Sequence, residues 1–306
     1  MDGFAAQGPL LFAHRGAPSE HAENTVPAFA AALEQGADVL ELDVRMSIDG
    51  HVMVSHDETG DRVYGVPQSI SLSHFSSIKR WRCKRDNGQT YETATLAEVL
   101  EAFPRIPLNV DVKQEVPDML LSLFDVIMGH AAEDRVLLTS FSSRTLAKIR
   151  QLGYRGPIGM SQRDAALFVL GPRWLGRIAR QGASRLQIPT RYAGIDLTSR
   201  ILIEKAHALG LPVDYWVVND PAEAERLLDL GADGIVTDEP KLLSDVFVRH
   251  VRTRGFRKRR SRTRERLANS RAQQALQAQQ AQQAQQSFQA AGSASSRSER
   301  TAGSSR

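Results

Sequence analysis

Residues able to do chemistry stand where short apolar runs end. The run "LLFAH" (10–14) finishes in His14 and continues to Arg15 and Gly16. "VLELDV" (39–44) carries Glu41 and Asp43, and "PLNVDV" (107–112) followed by Lys113 repeats the spacing with Asp111 and Lys113. "VSHD" (54–57) adds His56, and "PVDYWVV" (212–218) adds Trp216, with Asn219 just beyond. Side chains two apart on a strand share a side. Two carboxylates on one side repel unless a proton or a cation lies between them. All-oxygen ligands suit Mg²⁺ or Ca²⁺. Asp111, from a different strand, would complete such a site with Glu41 and Asp43, and Lys113 would face the same cavity. One imidazole acting as base and one as acid, here His14 and His56, is the minimal machinery for displacing an alcohol from a phosphate ester. Arg15 could hold phosphate oxygens bidentately. Taken singly, each has a plainer reading: surface carboxylates paired with Arg or Lys, a structural histidine, an exposed salt bridge. Polar groups inside apolar strand runs need partners, and several of them meeting on one rim exceeds what the plainer readings account for.

The elements that must position these residues alternate. Eight short apolar runs begin at 10, 39, 107, 135, 157, 185, 212 and 234. Most are separated by segments with helical period, such as "TVPAFAAALEQG" (25–36) and "PAEAERLLDLG" (221–231), each with a start signal and a terminal Gly. Strands alternating with helices imply a parallel sheet with right-handed crossovers. Eight units in one domain point to an α/β fold, a closed TIM (β/α)8 barrel, with a doubly wound sheet as the alternative. Catalytic groups then collect at the C-terminal ends of the strands. The basic, loosely periodic stretch around 164–184 fits this rhythm least. Residues 57–95 are polar and turn-rich and read as a small insertion on the barrel face after the second βα region.

Composition divides the chain further. Residues 1–9 read as an N-terminal extension and 10–248 as the barrel domain. Residues 249–306 hold 14 Arg or Lys against 2 Asp or Glu, a net +12, which leaves residues 1–248 at −8 within the overall +4. That tail is basic, then Ala/Gln-rich, then Ser/Gly/Arg-rich, and is expected to be disordered. It could contact anionic lipid or nucleic acid, or be a dispensable extension. The single cysteine, Cys83, forms no internal disulfide, which suits a cytoplasmic setting. The N-terminus lacks signal-peptide character, and no apolar run is long enough for a transmembrane segment.

"HRGAPSEHAENT", "GADVLELDVRMSIDGHVMVSHDET", "LNVDVK", "YWVVND" and "GADGIVTDEP", in this order over about residues 10–245, resemble the successive motifs of the glycerophosphodiester phosphodiesterase family. The resemblance implies a metal-dependent TIM-barrel enzyme that hydrolyses glycerophosphodiesters to glycerol 3-phosphate and an alcohol. It implies His14 and His56 as the acid/base pair and Glu41, Asp43 and Asp111 as ligands of one divalent cation, Mg²⁺ or Ca²⁺, with Mn²⁺ a further candidate. Arg15 and Lys113 become phosphate-side cations, and Trp216 lines the substrate pocket. Three positions depart from the family pattern. Ala22 stands where Pro is usual before "ENT". Asp111 replaces a glutamate one methylene longer, which raises the question of whether Glu115 assists. Val217 replaces a threonine and is expected to be buried. Glu23, Asn24 and Thr25 read mainly as structural. Two competing functions are a lysophospholipase D on the same barrel, which a long apolar groove near Trp216 would favour, and an inactive barrel serving as a binding module.

Overall fold

The computed structural model describes residue 4 and residues 8–86 and 88–253. Seven parallel strands carry the fold: β1 (Leu10–His14), β2 (Val39–Met46), β3 (Leu108–Val112), β4 (Val136–Thr139), β5 (Leu186–Pro189), β6 (Val213–Trp216) and β7 (Gly234–Thr237). Their hydrogen-bonded order is β4-β3-β2-β1-β7-β6-β5. Residues 157–160 close the remaining gap through isolated parallel bridges, Leu138 to Ile158 and Gly159 to Arg185. The eighth stave of this (β/α)8 barrel is therefore the expected "PIGM" run, reduced to bridges. Gly159 permits the approach: a Cβ there would lie 2.7 Å from Thr139 Cγ2.

Barrel packing places the polar residues in a layer of their own. Phe12 pairs in register with Val39, and two residues on His14 pairs with Glu41. Leu10, Phe12, Val39, Leu137 and Val236 form one buried cluster, joined by Phe4 from the N-terminal extension. Each such side chain contributes about 1.5–3 kcal/mol by leaving water. The layer above this apolar plug is where β1, β2 and β3 end in titratable groups.

Helix α1 (Val26–Glu34) follows the loop after β1; Thr25 accepts the Ala28 N–H as its N-cap, and Pro27 lies in its first turn. The loosely periodic stretch forms two helices, α2 (Gln162–Leu170) and α3 (Arg173–Arg180), broken at Gly171 and Pro172. Ser161 caps α2 by accepting the Asp164 N–H. The final helix, α4 (Pro240–Thr253), runs through position 248 and buries His250, so the change in composition falls inside a packed element. Past Thr253 the basic block, with its expected disorder and anionic partners, lies outside the described residues.

The insertion is made of short pieces, including the hairpins Thr59–Gly60 with Val66–Ser69 and Arg82–Lys84 with Thr90–Glu92. It attaches through two small apolar clusters. Ile70, Ile78 and Trp81 pack around Met53, and Cys83 and Tyr91 pack on Ala22. Ala22 thus fills a packing role where the family has Pro. Among the described residues, no helix is long and apolar enough to cross a membrane.

Candidate active site

Register sets the site. Across β1, β2 and β3, His14 stands beside Glu41, Glu41 beside Asn109, and Asp43 beside Asp111. The alternation that points Leu40, Leu42 and Val44 to the other side of β2 brings these four titratable groups to one mouth. His14, Arg15, Glu41, His56, Asp111, Lys113 and Trp216 all line a single cavity of about 400 Å³. Asp43 is the exception. It is 1% exposed and sits beneath the cavity wall.

Asp43 is clamped by three groups. Arg15 Nε lies 3.1 Å from its Oδ2 and Lys113 Nζ 3.1 Å from its Oδ1, while Asn24 Nδ2 donates to Oδ2 at 3.0 Å. Burial opposes its ionisation, but Lys113 and Arg15 outweigh burial and hold its carboxyl below the usual carboxylate range. Lys113 also donates to Asp111 Oδ2 at 2.6 Å, so the ammonium bridges two carboxylates. Its own pKa is raised, since Asp111 and Asp43 prevail over desolvation. Asp111 shifts upward, chiefly through burial, and its Oδ1 is buried without a hydrogen-bond partner. Burial and the nearby Asp43 push Glu41 up to about 7. Its Oε2 accepts the Arg15 backbone N–H at 3.0 Å.

The two imidazoles are each held by an acid. His14 Nδ1 lies 2.7 Å from Asp238 Oδ1, and its Nε2 lies 4.0 Å from Glu41 Oε2. Burial disfavours its cation, but Glu41 and the Asp238 hydrogen bond prevail and raise its pKa. Asp238 stays below the usual range despite burial, owing to His14 and to Asn219, which donates from Nδ2 at 2.9 Å. An ionised Asp238 accepts, so Nδ1 carries the proton and Nε2 is left for the cavity side. His56 Nδ1 lies 2.8 Å from Asp57 Oδ1. Arg62, from the insertion, donates to Asp57 Oδ2 at 2.6 Å and to both oxygens of Glu23 at 2.7 Å. Glu23 in turn accepts from Arg15 Nη1 at 3.1 Å. One chain of charged contacts therefore runs His56, Asp57, Arg62, Glu23, Arg15, Asp43.

The mainly structural reading of "ENT" holds and gains detail here. Glu23 and Asn24 position Arg15 and Asp43, while Thr25 caps α1. The loop adopts left-handed backbone at Arg15 (φ 55°) and Asn24 (φ 58°), which non-glycine residues rarely accept. Gly16 (φ 95°) is required twice over, since a Cβ there would lie 2.7 Å from the Ala28 carbonyl carbon. Glu115 is exposed and absent from the cavity wall. Val217, expected to be buried, is 38% exposed and lines the cavity, because the chain leaves β6 at Trp216. Asp238 and Arg62 were not anticipated. Asp238 carried a readable signal, being an acid directly after a strand; Arg62 carried none.

Beyond Lys113 the wall changes character. Phe141, Met160, Ala165, Val169, Ile188 and Leu197 face the cavity, and none of the later wall residues is charged. Phe141 meets Trp216 edge-on at 5.7 Å between centroids and lies under Lys113 Nζ at 5.1 Å.

A model of the glycerophosphoryl diester phosphodiesterase family matches residues 14–242. A glycerophosphodiester phosphodiesterase of Caldanaerobacter subterraneus subsp. tengcongensis is 28% identical over 242 residues, 76% of this chain and 96% of the relative. A lysophospholipase D of Mus musculus is 28% identical over 264 residues, 76% of this chain and 84% of the relative. The crystal structure of a glycerophosphodiester phosphodiesterase of Agrobacterium tumefaciens aligns with a TM-score of 0.66 at 25% identity, covering 78% of this chain and 98% of that one.

Proposed function

Since the chain belongs to the glycerophosphoryl diester phosphodiesterase family and is a phosphoric diester hydrolase, we propose that it cleaves glycerophosphodiesters to glycerol 3-phosphate and an alcohol with His14 and His56 as the acid/base pair. In this reading Glu41, Asp43 and Asp111 hold one divalent cation, Mg²⁺ or Ca²⁺, with Mn²⁺ a further candidate, and Arg15, Lys113 and Trp216 bind substrate. The carrying observation is the register that sets His14 against Glu41 and Asp43 against Asp111 over one cavity.

The donor set fits a hard cation in two respects. Glu41 is buried with a pKa raised to about 7, and Asp111 has a buried oxygen that accepts no hydrogen bond. In another respect it is not closed: among the described residues no three acidic, histidine or cysteine side chains converge on one point, and Lys113 stands between Asp43 and Asp111. When bound, the cation neutralises phosphate charge and polarises the phosphorus.

The remaining work belongs to the chain. Arg15 and Lys113 offset the charge that grows on the equatorial phosphate oxygens. Asp238 fixes the His14 tautomer and, with Glu41, keeps the ring protonated to higher pH, which suits His14 to protonating the leaving alkoxide. His56, oriented by Asp57, takes the proton from the attacking oxygen, either water or the glycerol 2-hydroxyl by way of a cyclic phosphate. The test is a coupled assay of glycerol 3-phosphate release over a panel of glycerophosphodiesters, with chelator as control. Release that chelator abolishes is expected, and no release with any of the three cations overturns the reading.

The uncharged wall from Phe141 to Val217 supports a second substrate class, lysophospholipids, whose acyl chain would lie along it. The lysophospholipase D relative of Mus musculus points the same way. Comparing glycerophosphocholine with lysophosphatidylcholine as substrates decides between them.

A further inference from the structure

Helix α3 has the sequence "RWLGRIAR". Its inner side is packed: Ala179 is 2% exposed, and a Cβ on Gly176 would touch Phe168. Its outer side carries large apolar side chains in the open. Trp174 and Ile178, four residues apart and so on one face, are 64% and 63% exposed, with Arg177 exposed beside them. Nothing among the described residues covers them.

This face adjoins the mouth of the cavity. Leu170, at the end of α2, lines the cavity and is 71% exposed, and the chain passes from it through Gly171 and Pro172 into α3. The hairpin at residues 191–196 adds Tyr192 and Ile195, both wall residues and both about half exposed. Its Tyr192 hydroxyl meets Gln162 of α2. The rim therefore continues outward into an apolar shelf.

The same stretch reverses the charge of its surroundings. Residues 162–200 hold seven Arg and two Asp; with Arg185 buried against Asp214, six Arg and two Asp remain, a net +4, within a 248-residue region of net −8. Arg163, Arg177 and Arg191 are exposed. Aromatic and aliphatic side chains interleaved with arginine on the outer face of a short helix fit the boundary between headgroups and acyl chains of an anionic bilayer. A second copy of this chain would need an acidic counterface and would leave the arginines facing one another across a two-fold axis.

We propose that the outer face of α3, with Leu170 and the tip of the 191–196 hairpin, docks on an anionic lipid bilayer and sets the cavity mouth against it. The inference uses the position of the cavity and not the chemistry within it, so it stands or falls apart from the proposed reaction. The test is binding of the full chain to phosphatidylcholine vesicles with and without one-third phosphatidylglycerol, by sedimentation and by quenching of tryptophan fluorescence with brominated acyl chains. Trp81 and Trp216 also fluoresce, so the quenching that disappears with Trp174→Ser reads entry of Trp174, and binding through the basic tail alone does not mimic it. Wild type is expected to bind the anionic vesicles and be quenched. Trp174→Ser with Ile178→Ser should lose the quenching and bind at least about tenfold more weakly. The circular-dichroism spectrum and Tm should stay at their wild-type values, showing that the double variant is folded whatever becomes of the proposed reaction. Three results overturn the proposal: no vesicle binding, binding without quenching that the double variant retains, or a dimer in solution that the double variant dissociates.

Discussion

The mouth of the barrel has two unlike halves. Every wall residue up to Lys113 is polar, and none after it is charged. The first half, on β1 to β3 and the loops beside them, is cross-braced by ion pairs from Arg15, Lys113 and Arg62. The second half, from β4 to β7, presents a wall packed around Phe168, Ile188 and Tyr215, and its buried ion pair of Arg185 with Asp214 lies outside the cavity wall. The braced half holds charges at fixed distances, which general acid/base chemistry needs, and the packed half offers shape and apolar area, which sorts substrates. The division of labour follows from the physics of the two contacts: buried ion pairs lose heavily when one partner goes, whereas an apolar wall tolerates change and alters fit.

The sharpest way to break this division is to exchange the expected effects. His14→Ala and His56→Ala should each lower kcat at least about a hundredfold on glycerophosphocholine, if each moves a proton. Ala166→Asp, an exposed wall position on α2, should leave that rate within about twofold. Steady-state assays of the three variants measure both. Near-normal turnover in either histidine variant removes the chemistry from the braced half.

A smaller effect is expected on selectivity. A carboxylate at position 166 in the uncharged wall should lower the ratio of kcat/KM for lysophosphatidylcholine over glycerophosphocholine about tenfold. An unchanged ratio means that no acyl chain lies along this wall, and the second substrate class falls with it.

The two halves were also unequally legible in the sequence. In the braced half the acids and bases interrupt apolar strand runs at a spacing of two, so Glu41, Asp43 and Asp111 stand out, and barrel closure then brings them to one end. Asp238 obeys the same rule in "GIVTD" and could have been drawn from it. Arg62 could not, because the insertion has neither helical nor strand period and only the folded loop carries it to Glu23 and Asp57. In the packed half, Trp174, Leu175, Ile178 and Ala179 recur at helical spacing in α3, but Gly171 and Pro172 divide the 162–180 stretch into two short helices and hide that period. The run at 157–160 was visible as a strand, but the ladder there is limited to two bridges. The position of Asp43 below the cavity wall was not readable either, since strand alternation gives the side of a residue and not its depth.

Arg62 gives the third test, with an effect of a few-fold. It touches Asp57 and Glu23 and is absent from the cavity wall, so it acts by positioning His56 and Arg15. Arg62→Ala should lower kcat about three- to tenfold while KM changes less, because its links are half exposed and screened. Arg62→Lys should recover part of the loss, since one ammonium cannot hold both carboxylates bidentately. An equal fall in stability with no change in kcat makes Arg62 a strut of the insertion alone.

The smallest effect concerns the cation and pH. Glu41 shifts from an ordinary 4.5 to about 7 on folding, so between those values the folded chain binds the proton more tightly than the unfolded chain. Stability therefore falls as pH rises through that window. The raised pKa of His14 acts in the same direction, with stability present below 6.5 and lost as pH passes the folded value. The depressed Asp43 acts in the opposite sense, but its window lies below 3.8, outside the range of interest. A divalent cation, if held by the three acids as proposed, would offset the cost of an ionised, buried Glu41 and would compete with its proton at low pH. The cation-induced rise in Tm should therefore be larger at about pH 8 than at about pH 5, by about 2–4 °C for each kcal/mol of relief. Scanning calorimetry with Mg²⁺, Ca²⁺ or Mn²⁺ against chelator measures it. Glu41→Gln should flatten the pH dependence of the cation effect, whereas His14→Ala should leave that difference in place. A rise in Tm that is equal at both pH values places the ion away from Glu41 and leaves the braced half neutralised by Arg15 and Lys113 alone.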